Sequence, residues 1–201
     1  MKNIDLVYRY LQKYSDKSIE KFCKLFHDPD QNGKFTAEDI PHLCDILFKI
    51  ESKLEDERSY NIDWPLKDDI LDTILRLAVQ SKDDKWIDVI VEAMNRFRSI
   101  HRPYLEHANE VIISEFLFGE LNENSQTVAI RRASFLNSLK THISDYKQML
   151  NNFCLDYIQL FEQRIQFEIG VNRDALQKSI GVAKEILSLL ENSTSISSSN
   201  I

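Results

Sequence analysis

Apolar side chains return every three or four positions along most of the chain, and no run alternates with period two for the length of a strand. That pattern predicts an all-α protein, a multi-helix bundle of seven or eight helices. Ile4, Val7, Tyr8 and Leu11 predict a first helix over roughly residues 3–14. Ile19, Phe22, Cys23, Leu25 and Phe26 predict a second, which runs into a polar stretch at Asp28. Ile40, Leu43, Cys44, Leu47 and Ile50 form the next stripe, and the charged run ESKLEDERS behind it reads as a solvated helix end. Asp63 ahead of Trp64 and Pro65 reads as a helix start, because proline is tolerated in a first turn; Ile70, Ile74, Leu77 and Ala78 then face inward. Ser81 and Asp84 have the spacing of a capping box and predict a helix carrying Trp86 or Ile87, Ile90, Met94 and Phe97. Pro103 opens another, through Val111, Ile112, Phe116 and Leu117, with Gly119 near its close.

From Ser125 the pattern becomes a seam. Leu136, Leu139, Ile143, Tyr146, Leu150, Phe153, Tyr157 and Leu160 alternate steps of three and four, which predicts one long helix closed by Gly170 as a C′ residue. Phe135, Met149, Leu155, Phe161 and Ile165 widen its apolar face, so more than one helix must cover it, in this chain or in a partner. Leu176, Ile180, Ala183, Leu187 and Leu190 repeat the spacing in a last helix that can fold back as an antiparallel hairpin. The final stretch NSTSISSSNI has too little apolar surface to offset its ordering entropy and is expected to be a disordered tail. The division expected is a small N-terminal helical module over 1–56, a bundle with the long C-terminal hairpin over 57–191, and the tail over 192–201.

Composition narrows the classes of partner. With 201 residues, 43% of them hydrophobic, and only four Gly and four Pro, the chain can bury a sizeable core without staples. A net charge of −7 argues against a nucleic-acid binder and suits cations or basic partners. Cys23, Cys44 and Cys154 are odd in number and set among apolar residues, which reads as reduced core thiols of a cytoplasmic protein. Neither a signal peptide nor a membrane span is expected; a secretion address read by a dedicated apparatus is outside the reach of hydropathy.

The polar stretch between the second and third helices is DPDQNGKFTAED, residues 28–39. Asp28, Asp30 and Asn32 place oxygen-bearing side chains at alternate positions, Gly33 permits a sharp bend, and Phe35 is an apolar residue able to pin the segment to a core. The match D-x-D-x-N-G-x5-D, with helices predicted on both sides, resembles the EF-hand calcium-binding loop over roughly residues 18–50. That resemblance implies metal ligands from Asp28, Asp30 and Asn32, the backbone carbonyl of Lys34, Thr36, and Asp39 as the closing carboxylate. It implies calcium as the cofactor, with magnesium an alternative because Asp39 is a methylene shorter than the usual closing Glu. No second loop of this kind occurs, so a lone hand would bind weakly, pair with a degenerate partner or form a homodimer.

The remaining constellations are weaker. His101, Glu106, His107, Glu110 and Glu115 contain metal-binding residue types but read as a solvated helix face. Arg96, Arg98, Arg102, Arg131 and Arg132 gather basic charge that suits either an acidic partner or balance by nearby carboxylates. Cys23 and His27 stand four apart, yet no acid, base and nucleophile form a catalytic arrangement, and four scattered glycines build no phosphate loop. The expectation is a non-enzymatic, divalent-cation-binding helical protein that regulates or binds a protein partner. Its alternative is a metal-independent scaffold or adaptor, effector-like in one version.

Overall fold

The computed structural model describes residues 5, 24–26, 35–53, 60–119 and 125–195, the side chains of 52–53, 60–65 and 193–195 excepted. The expected first helix, most of the second, and loop residues Asp28, Asp30, Asn32 and Lys34 lie outside the described residues; Asp5 and residues 24–26 are helical. The described chain is all-α. A single 3-10 turn, Ala37–Asp39, leads into α1 (Ile40–Lys53), followed by α2 (Tyr60–Ser81), α3 (Lys85–Arg98), α4 (Pro103–Phe118), α5 (Ser125–His142), α6 (Tyr146–Arg164) and α7 (Val171–Ser195).

Helix α4 organises the body. Tyr104, Leu105, Ala108, Ile112, Phe116 and Leu117 are all essentially inaccessible, so apolar residues cover more than one face and let α4 touch α1, α2, α3, α5 and α7. Pro103 stands at its first position, where no amide donor is needed. Around it, α1 packs on α2 and α3, and α3 on α5. Ile40, Leu43, Cys44, Leu47 and Ile50 are buried as their spacing requires, and they share one core with residues of α2 to α7. Both Trp86 and Ile87 are buried, so α3 presents the wider of the two faces its pattern allowed.

Six local expectations change. The helix around Trp64 begins at Tyr60, ahead of Asp63, which places Pro65 past the first turn, where its missing amide removes one intrahelical bond. Ser81 is the last residue of α2: its hydroxyl donates to the Ala78 carbonyl at 2.8 Å, while Asp83 Oδ1 accepts from the Lys85 amide at 3.1 Å. The supposed solvated run begins with Glu51, which is fully buried. The long seam is two helices, since α5 ends at His142 and α6 starts at Tyr146. Arg98 of α3 holds that corner by two bonds to Asp145, at 2.7 and 2.6 Å. Gly170 takes positive φ, but ahead of α7 rather than behind α6, and its carbonyl accepts from the Asp174 amide at 3.2 Å. The last helix also continues through Ser195, so residues 192–195 of the expected tail are helical.

The C-terminal hairpin is present in shortened form. α6 and α7 pack on one another across the short link between Arg164 and Val171: Cys154, Ala183 and Ile186 are buried in the core, and Lys184 reaches Glu162 at 2.8 Å. Because α6 packs chiefly on α7, a groove is left between α6 and α4. No helix among the described residues is long and apolar enough to cross a membrane.

Candidate functional site

Two of the expected ligands, Thr36 and Asp39, are described, and their neighbourhood fixes how the loop leaves for the core. Phe35 is buried and stacks on Phe26 with ring centroids 5.1 Å apart, tying the two ends of the loop to one another. Thr36 is extended and serves as N-cap of the 3-10 turn. Asp39 Oδ2 accepts from the Thr36 amide at 2.9 Å and from the Thr36 hydroxyl at 3.1 Å, a capping-box geometry with Asp in the usual place of Glu. Ile40 follows immediately and is wholly buried, so Asp39 stands at the head of a helix anchored in the core. Both groups are hard oxygen donors of the kind a calcium or magnesium site needs, and the box uses only one of the two carboxylate oxygens. Pro41, near the start of α1, sits where its missing amide costs nothing.

The other constellations resolve into structural duties. Arg96 packs over the Phe48 ring, 4.4 Å from its centre, and approaches Asp45 at 3.7 Å. Arg131 donates to the Gly119 carbonyl and Arg132 to that of Leu117 at 2.9 Å, so both complete the C-terminus of α4, where carbonyls and dipole favour cations. The basic region is thus largely consumed within the fold. His101, Glu106, His107 and Glu110 are exposed on and just ahead of α4, while Glu115 is half-buried. Among the described residues no three His, Cys, Asp or Glu side chains converge as metal ligands. Cys23 and His27 lie outside the described residues. Burial pushes the Cys44 thiol up to about 12 and that of Cys154 up to about 11, so both remain protonated and unreactive.

Two features were not expected. Lys67 of α2 donates to Glu51 Oε2 of α1 at 2.7 Å with neither side chain exposed, and its ammonium stands 4.3 Å from the centre of the Tyr104 ring. Two charges sixteen residues apart give no sequence signal of pairing, because each alone looks like a surface residue.

The second feature is the groove itself, a cavity of about 640 Å³ between α4 and α6. Phe153, Tyr157 and Phe161 line it as an aromatic ladder: Tyr157 stacks at 4.1 Å on Phe161, and Phe118, outside the lining, stacks on Tyr157 at 4.2 Å and lies 6.3 Å from Phe153. Glu106 and Glu110 form part of the α4 wall, and Asp156 part of the α6 wall. The seam had flagged Phe153 and Tyr157 as a core or a partner surface, and Glu106 and Glu110 as solvated. Their meeting depends on the turn at Ile143 to Asp145.

Compared with protein-family models, with curated proteins and with solved structures, the chain matches none.

Proposed function

We propose that this chain is a divalent-cation-binding helical protein in which the loop from Asp28 to Asp39 controls the setting of α1 in the core, and through it the presentation of the bundle to a protein partner. The observation that carries the reading is the exit of the loop: Phe35 anchored on Phe26, and Asp39 held at the head of a buried helix. Asp28, Asp30, Asn32, the Lys34 carbonyl, Thr36 and Asp39 would hold the ion. Its charge offsets the repulsion of the three ligand carboxylates, Asp28, Asp30 and Asp39. Because Asp39 is short and already gives one oxygen to Thr36, it offers the other singly, which favours weak calcium binding or magnesium. Thr36 keeps its hydroxyl lone pairs while donating its proton, and so serves both duties.

Isothermal calorimetry with calcium and with magnesium, on the native chain and on Asp28→Ala, tests the reading. A saturable heat lost in the variant supports it. Absence of heat from the native protein, or an unchanged heat in the variant, removes it.

A further inference from the structure

We infer that the groove between α4 and α6 is the docking site for a basic amphipathic helix of a partner protein. Length, spacing and charge each point to that occupant. From Gln148 to Phe161 the lining follows α6 for about 20 Å at 1.5 Å per residue, the length of a partner helix of about four turns. Met149, Phe153, Tyr157 and Leu160 line it at steps of four, four and three, the spacing by which one helix receives the side chains of another. Leu160 is 60% exposed, and Met149, Phe153 and Tyr157 are only partly covered, so no described helix covers the seam on this side.

The walls set the sign of the partner. Glu106, Glu110 and Asp156 make no ion pair among the described residues, whereas the groove's one arginine, Arg98, is already bound by Asp145. A ligand with apolar residues on one face and Lys or Arg along its flanks covers the aromatic ladder and meets the three carboxylates at the rim. An acidic helix would face the same carboxylates unfavourably, and a neutral one would leave them without partners. No described residue of the lining belongs to the stretch Asp28 to Asp39, and the proposal does not rest on that stretch holding an ion.

The test uses the full chain and a fluorescein-labelled 14-residue peptide of Leu and Lys at helical spacing, read by anisotropy in the presence of EDTA. Saturable binding is expected, with at least tenfold weakening for a scrambled peptide of the same composition and for the Glu106→Gln/Glu110→Gln/Asp156→Asn variant. Those three changes are at the surface and leave the core intact. Asp72→Asn/Glu92→Gln, which removes two exposed acids elsewhere, is expected to bind like the native chain. Equal binding of the scrambled peptide, or equal loss in both acidic variants, would mean attraction by net charge alone and overturn the proposal. So would light scattering that shows a dimer dissociated by Leu160→Lys, since the groove would then be covered by a second copy.

Discussion

Replacing Lys67 by Met is the sharpest probe of how this bundle is built. Lys67 and Glu51 are both fully buried and joined at 2.7 Å, and Glu51 Oε1 already lacks a hydrogen-bond partner. Methionine preserves the length and apolar stem of the side chain but leaves a carboxylate stranded in the core. Breaking a buried pair from one side costs about 3–5 kcal/mol, because the remaining charge has lost both water and partner. For a chain of this size that corresponds to a fall in Tm of roughly 6–20 °C. The double substitution Glu51→Leu/Lys67→Met removes both charges and is expected to return close to native stability, so the two changes are strongly non-additive. Urea unfolding followed by circular dichroism measures all three variants. A loss below about 1 kcal/mol for Lys67→Met, with additive behaviour in the double variant, would falsify the claim that α1 and α2 meet over a dry ion pair.

Thr36→Ala removes the N-cap of the turn before α1 and is expected to cost about 1 kcal/mol in the same assay, with Phe35→Ala costing about 3–5 kcal/mol through loss of its buried ring. If Thr36→Ala is neutral, the capping box does not form. In a Cys23→Ser background, Ellman's reagent is expected to find no reactive thiol in the native state near pH 8 and two after denaturation, since burial holds the thiols of Cys44 and Cys154 protonated. Rapid labelling of either in the folded protein would contradict the packing. Arg98 lowers the pKa of Asp145 in the folded state, so their pair stabilises the corner above the unfolded carboxylate pKa and ceases to do so as pH falls through the lower folded value. With Asp145 more than half exposed, solvent screening keeps that contribution below about 1 kcal/mol. Native and Arg98→Gln proteins are therefore expected to differ in urea midpoint near neutrality and to converge in strong acid; a constant gap would refute the pairing.

The helices were legible where one face alone decided burial. Ile40, Leu43, Cys44, Leu47 and Ile50 could be placed inward because a period of 3.6 needs no knowledge of the neighbours. The corner between α5 and α6 was hidden for the same reason: Leu139, Ile143 and Leu150 are buried on both sides of it, so the apolar rhythm runs across the break. The residue that fixes it, Arg98, lies 47 positions from Asp145. Glu51 was misread as solvated and Lys67 drew no reading, because the two charges become compatible with the core only through each other. Of the six expected loop ligands, Thr36 and Asp39 are seen, and the Thr-x-x-Asp spacing that joins them is a capping signal readable in the chain. The groove required tertiary knowledge, as its acidic and aromatic walls come from helices far apart in sequence.

The most direct measurement is a magnesium and calcium titration followed by amide NMR. The amides of Gly33, Thr36 and Ala37, together with those of the first turn of α1, are expected to move saturably and in step with at least one of the two ions. Amide signals that stay fixed up to millimolar concentrations of both would show that Asp39 serves only to cap its helix, and that no ion governs this bundle.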